Sequence, residues 1–347
     1  MLLFRRSMIA LPLVGLCFAG GAGLRGEPAS ESSARQRTYS NPILAEGNPA
    51  DPDVILVDGT YYLYPTTHGH GYDVWTSTDL INWRPRGSVF KAPHGGAWAP
   101  DVFHNKSGDG KFYLYYTVSG PDAPAHGPWG KRVGVAVSDS PLGPFEDKKV
   151  LAEGSIDANL FQDDDGRLYL YYVEIADGFK IFGQRMADPL TKDGDRVEVL
   201  HPTEPWEMVS GRVTEGPFML KHDGTYYLMY SGTGADSPNY GIGYTTSKSP
   251  LGPFEKAAEN PIAHRSEGTA GQASSGTEAQ RPQSVYGPGH HCVVTGPDGK
   301  LWMIYHQKQD DGMNYRRFLA LDPIWFDDDG KLHARVSRGT DEPAPGQ

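Results

Sequence analysis

One short stretch returns five times along the chain and restricts it to a small set of architectures. It reads Asp58-Gly59-Thr60-Tyr61-Tyr62-Leu63-Tyr64, and its other copies begin at Asp109, Asp165, Asp223 and Asp298. Asp-Gly favours a tight hairpin turn because both central positions take positive φ. The aromatic and aliphatic run behind it is strand material. Each copy therefore marks a turn between two antiparallel strands. The copies begin 51, 56, 58 and 75 residues apart. Five all-β units at such a period predict a five-bladed β-propeller, each sheet packed on its neighbours around a central channel. A second repeat, Ser140-Pro141-Leu142-Gly143-Pro144-Phe145-Glu146 against Ser249-Pro250-Leu251-Gly252-Pro253-Phe254-Glu255, supports the period independently.

The repeat also serves as a ruler. Eight residues before the Asp of each later copy stand Asp101, Asp157, Glu215 and His290; seven before the first stands Asp51. Each begins the strand ahead of the turn. In a propeller that strand lines the channel, so these five side chains are expected to converge near the axis. Their neighbours are apolar residues and Pro, not the polar mixture of a surface turn. Asp53 rivals Asp51, because side chains two apart on a regular strand share a face.

The 347-residue chain has a formal net charge of -11, which argues against nucleic acid or an anionic membrane surface as partner. Residues 1–26 read as a secretory signal: Arg5 and Arg6, an apolar core from Met8 to Ala19, then small residues. The expected layout continues with a disordered lead-in at 27–38, the propeller at 39–338 and a loose tail at 339–347. A stretch without periodicity at 264–284 reads as a long mobile loop, and Tyr39 to Leu44 is expected to close the ring on the last blade. The expected product is a secreted or periplasmic monomer. Beyond the signal only Cys292 remains, so no intrachain disulfide is available.

Asp157 and Glu215 fall on adjacent blades. A carboxyl beside another in a partly apolar channel has its pKa raised, which suits Glu215 to be a general acid. Asp51, across the channel in a more polar setting, is expected to stay ionised and act as a general base. Carboxyls roughly 6.5–9.5 Å apart leave room for a water and give inversion at a sugar's anomeric centre.

The motifs Ala50-Asp51-Pro52, Trp98-Ala99-Pro100-Asp101, Ile156-Asp157-Ala158-Asn159-Leu160-Phe161, Thr214-Glu215-Gly216-Pro217 and Gly287-Pro288-Gly289-His290 occur in phase with the repeat. In this order they resemble glycoside hydrolase family 43. The resemblance implies Asp51 as general base, Asp157 as the residue tuning and orienting the acid, and Glu215 as general acid. Trp98, Asp101, Arg212 and Phe161 are the candidate substrate contacts, Trp98 either as an aromatic wall for a sugar or as a packed core residue. The resemblance also implies a central ion or water cluster, often calcium, met by His290 partly through water; the plainer reading of His290 is a hydrogen-bonded structural residue. His291 should point to the opposite face. The expected substrates are arabinose- or xylose-containing oligo- and polysaccharides. An exo-acting α-L-arabinofuranosidase is favoured, ahead of β-xylosidase, endo-arabinanase and a non-catalytic carbohydrate-binding propeller, because the chain stops soon after the fifth unit.

Overall fold

A computed structural model describes residues 37–124, 127–267 and 283–346. The signal, most of the lead-in and the centre of the 264–284 stretch lie outside the described residues. What remains is a five-bladed β-propeller with a single short 3-10 turn, Pro205–Met208. Blade I is β2 (Ala50–Val57), β3 (Thr60–Thr66), β4 (Gly71–Ser77) and β5 (Arg84–Lys91). Blade II is β6 (Trp98–His104), β7 (Phe112–Ser119), β8 (Lys131–Ser138) and β9 (Glu146–Glu153). Blade III is β10 (Ser155–Gln162), β11 (Leu168–Ile175) and β12 (Phe179–Asp188), with β13 (Thr191–Lys192) and β14 (Val197–Leu200) both paired to β12. Blade IV is β15 (Thr214–His222), β16 (Thr225–Gly232), β17 (Gly241–Ser247) and β18 (Glu255–Lys256). Blade V is β19 (Gly289–Thr295), β20 (Leu301–Lys308), β21 (Arg317–Phe326) and β22 (Leu332–Ala334).

The Asp-Gly turns form as the sequence requires in two blades. Asp58 and Gly59 both take positive φ, as do Asp223 and Gly224. In the other three only the Gly does, and the Asp carboxylate instead caps the turn, accepting from the amides of Lys111, Arg167 and Lys300.

Apolar side chains alternate between the two faces of each blade, so five cores form between five blades. Tyr64 and Tyr72 of blade I meet Val102, Leu114 and Tyr116 of blade II. The ring closes in the same way, with Val54 and Leu63 of blade I against Cys292, Ile304 and Leu321 of blade V. Closure also involves both ends of the described propeller. β1 (Thr38–Tyr39) pairs with β23 (Glu342–Pro343), and Leu44 bridges Leu319 of β21. Of the tail expected to be loose at 339–347, the described residues 339–346 are thus held, with Glu342 and Ala344 buried. Asn41 locks the junction: its amide donates to Leu321 O, Asp322 Oδ2 and Ser337 Oγ and accepts from Leu321 N.

Candidate active site

Every inner strand carries a bulge at its hub end. The residue before it pairs normally with the second strand: Ala50 with Thr66, Trp98 with Thr117, Ile156 with Val173, Glu215 with Ser231, Gly289 with His306. The next residue, Asp51, Ala99, Asp157, Gly216 or His290, takes a φ of 42° to 56°. A bulge inserts backbone without a ladder partner and re-aims side chains. Four of these five are not glycine, a conformation costing about 1–2 kcal/mol each, so the hub geometry is imposed by its surroundings.

Part of that imposition is a ring of staples. The amide of the bulge residue donates to the second strand of the preceding blade. Ala99 N donates to Thr66 Oγ1, Asp157 N to Thr117 Oγ1, His290 N to Ser231 Oγ, and Asp51 N to His306 Nδ1. Blade III has Val173 at this position, with no acceptor. There Gly216 N donates to Asp157 Oδ2 at 3.2 Å instead, which ties the Asp157 carboxylate to the residue beside Glu215.

Two residues beyond the bulge lies a second tier. Asp53 Oδ2 accepts from Val102 N, Asp101 accepts from Asn159 Nδ2 and Leu160 N, and Asn159 Oδ1 accepts from Met219 N. Asp101 therefore does not stand level with Asp51 and Asp157. Its carboxylate fastens blade II to blade III, and burial pushes it up to about 7. The count of eight residues from the turn misses this because blade II has a longer turn. Asp53 belongs to the same tier. His291, expected to face away, is buried and lines a cavity of about 20 Å³ with Asp53, Asp101 and Asp157, because the bulge resets the alternation.

The hub brings Asp51, Asp157, Glu215 and His290 together and gives the carboxyls different states. Asp51 is buried, and its setting is polar. Arg317 Nη1 lies 3.0 Å, His306 Nδ1 3.1 Å and His290 Nδ1 3.5 Å from its Oδ1. Burial alone would raise its pKa; the Arg317 charge, with His290 and His306, overcomes that and holds it well below the usual carboxylate range. Glu215 Oε1 accepts from Tyr240 Oη at 2.7 Å. Burial, helped by the Asp51 charge, pushes it up to about 7. Asp157 is raised well above the usual range by burial, then by Glu215 and Asp51. The charge that does most to raise Glu215 beyond its burial is that of Asp51.

The candidate substrate contacts separate. Trp98 stands at the hub end of β6, partly exposed, with Lys131 Nζ 3.6 Å from its ring. Arg212 is exposed and its backbone carbonyl accepts from Phe179 N. Phe161 lies toward the far end of β10, edge-on to Tyr226 in the core between blades III and IV. Neither Arg212 nor Phe161 contacts the three carboxyls in the geometry described. Arg317, His306 and Tyr240 do, and sequence reasoning missed them because they lie on second and third strands or a connecting loop.

Among the described residues no three His, Cys, Asp or Glu side chains converge to hold a metal ion. His290 Nδ1 already faces Asp51 and Asp157, at 3.5 and 4.0 Å. Asp101 is spent on blade III. Calcium prefers a shell of six to eight oxygens, so this donor set does not fit an ion ligated directly by the protein, and no step below uses one.

A propeller hub holding one carboxyl ionised and another protonated near neutral pH is the apparatus of a glycoside hydrolase. The sequence profile described as Glycosyl hydrolases family 43 matches residues 39–332, and the chain belongs to that family. It is similar to a crystal structure of a thermostable family-43 glycoside hydrolase, with TM-score 0.77, 32% identity, 89% of this chain and 100% of that one. It is 29% identical over 321 residues to a β-D-galactofuranosidase of Aspergillus niger, covering 84% of this chain and 83% of that protein. Against an extracellular exo-α-(1→5)-L-arabinofuranosidase of Streptomyces chartreusis the identity is 27%, over 84% of this chain and 89% of that protein.

Proposed function

We propose that the protein is an inverting, exo-acting α-L-arabinofuranosidase, with Asp51 as general base, Glu215 as general acid and Asp157 orienting and tuning the acid. The observation that carries this is the opposite displacement of two carboxyls in one hub: Asp51 held low by Arg317, Glu215 raised to about 7 by burial. A base must be ionised and an acid protonated in the same pH window. The side-chain contacts of Asp51 fall on Oδ1 and that of Glu215 on Oε1. Asp51 Oδ2 is then the oxygen to take a proton from water, and Glu215 Oε2 the one to protonate the departing glycosidic oxygen. Trp98, cushioned by Lys131, supplies the aromatic wall. The names of the two relatives above favour a furanose in the pocket, since both act on furanosides. The natural setting is a secreted monomer acting on arabinose- or xylose-containing glycans.

The test is hydrolysis of nitrophenyl α-L-arabinofuranoside and β-D-xyloside by wild type, Asp51→Asn and Glu215→Gln, with proton NMR of the first-formed sugar. Preference for the xyloside would transfer the assignment to β-xylosidase. Retained configuration would overturn the roles. An inert wild type on every arabinosyl and xylosyl glycan would overturn the hydrolase reading in favour of a carbohydrate-binding propeller.

A further inference from the structure

Base and acid are tied to each other behind the pocket. His306 is fully buried, and its Nδ1 lies 3.1 Å from Asp51 Oδ1 and 3.4 Å from Asp51 N. One ring nitrogen therefore faces both ends of the base, accepting from the amide in one tautomer and donating to the carboxylate in the other. The imidazole lies flat on the ring of Tyr240, centroids 5.5 Å apart and planes 9° from parallel. Tyr240 in turn holds Glu215 at 2.7 Å. Gly289, the cross-strand partner of His306, leaves room beside the imidazole for the Tyr240 ring: an added Cβ would fall 2.1 Å from two ring carbons. The tyrosine thus packs against an imidazole and the bare backbone next to it.

Equivalent positions in the other blades are Thr66, Thr117, Val173 and Ser231. A hydroxyl suffices to staple a bulge amide, as it does in three of them. The imidazole in blade V adds what a hydroxyl lacks: reach to the carboxylate and a flat face for Tyr240. Burial pushes His306 down to about 4, so it packs as a neutral ring.

From this stack, and resting on the roles given above, we infer that His306 and Tyr240 form a rigid spacer that positions the general base against the general acid, with the Tyr240 hydroxyl serving Glu215 and its ring face carrying Asp51 through His306. Both are positioning residues. Parallel aromatic contact of this kind is directional and loses its geometry when one ring becomes aliphatic.

The experiment separates ring from hydroxyl. Tyr240→Phe keeps the ring; Tyr240→Leu removes it. His306→Ser restores the hydroxyl staple of the other blades and removes both carboxylate contact and stack. All are assayed on a dinitrophenyl glycoside, whose leaving group needs little acid assistance, so its rate reports the base. On it, kcat of Tyr240→Leu and of His306→Ser is expected to fall roughly 10-fold or more below that of Tyr240→Phe, with KM changed less than about 3-fold. Thermal melts identify variants that remain folded. Should Tyr240→Leu be unfolded, folded His306→Ser carries the same comparison. Equal kcat for Tyr240→Phe and either of the other two would overturn the spacer while leaving the hydrolase reading intact. An inert wild type would overturn both.

Discussion

Arg317→Gln tests the physical origin of the ionised base. The guanidinium sits 3.0 Å from Asp51 Oδ1, and both side chains are about nine-tenths buried, so solvent screens the pair little. A hydrogen bond to a charged group contributes about 1.5–3 kcal/mol, and 1.36 kcal/mol corresponds to one pH unit. Removing the cation should therefore move the acid limb of the kcat/KM profile upward by about 1–2 pH units. The direction follows from linkage: Asp51 is depressed in the fold, Arg317 depresses it, and a base works only above its pKa. Arg317 also lowers Glu215, behind the Tyr240 hydrogen bond in effect, so the alkaline limb should rise too, by less. The stability that Asp51 gains from the pair is present above its unfolded pKa and lost as pH falls through its folded one. The variant's deficit should accordingly be largest at neutral pH and shrink in acid. The assay is kcat/KM on a nitrophenyl glycoside across pH, with melts at each pH. An acid limb that stays in place while the enzyme remains folded would refute the assignment of Asp51 as the base held by Arg317.

Wild-type activity should fall as pH rises through about 7, where Glu215 loses its proton, and a pH profile without a limb there would count against Glu215 as the acid. Asn41→Ala should cost about 2–4 kcal/mol by removing the buried bonds that join the segment before blade I to blade V, seen as a lower Tm with unchanged kcat; an unchanged Tm would show that the ring closes without it. Val173→Thr should cut kcat about 10-fold with little loss of Tm, because the new hydroxyl can take the Gly216 amide from Asp157. Wild-type kcat in that variant would mean that the amide does not orient Asp157.

The fivefold wheel was legible because hairpin chemistry and strand alternation are local. Asp58-Gly59 announces its turn, and the Tyr and Leu behind it announce the buried strand. Asp51, Asp157 and Glu215 were legible because counting from those turns reaches the hub. The count failed at Asp101, where a longer turn shifts the phase by two residues, and lands one residue ahead of the bulge at Glu215; the alternation failed at His291, where the bulge turns it over. Arg212 and Phe161 adjoin the motifs in sequence, and sequence proximity does not show which end of a strand faces the pocket.

What lay hidden is the second ring of residues, and it carried a signal. Thr66, Thr117, Ser231, Val173 and His306 occupy one register position in five blades. Three are hydroxyls doing one job, fastening the bulge of the next blade. The two exceptions adjoin the two ends of the proposed chemistry: Val173, whose missing hydroxyl releases an amide to Asp157, and His306, whose ring reaches Asp51. A repeat protein must satisfy the same backbone amide five times. A blade that departs from the shared solution needs another partner for that amide, and both departures here involve a carboxylate of the hub: Asp157 takes the Gly216 amide itself, and His306, which takes the Asp51 amide, reaches the Asp51 carboxylate.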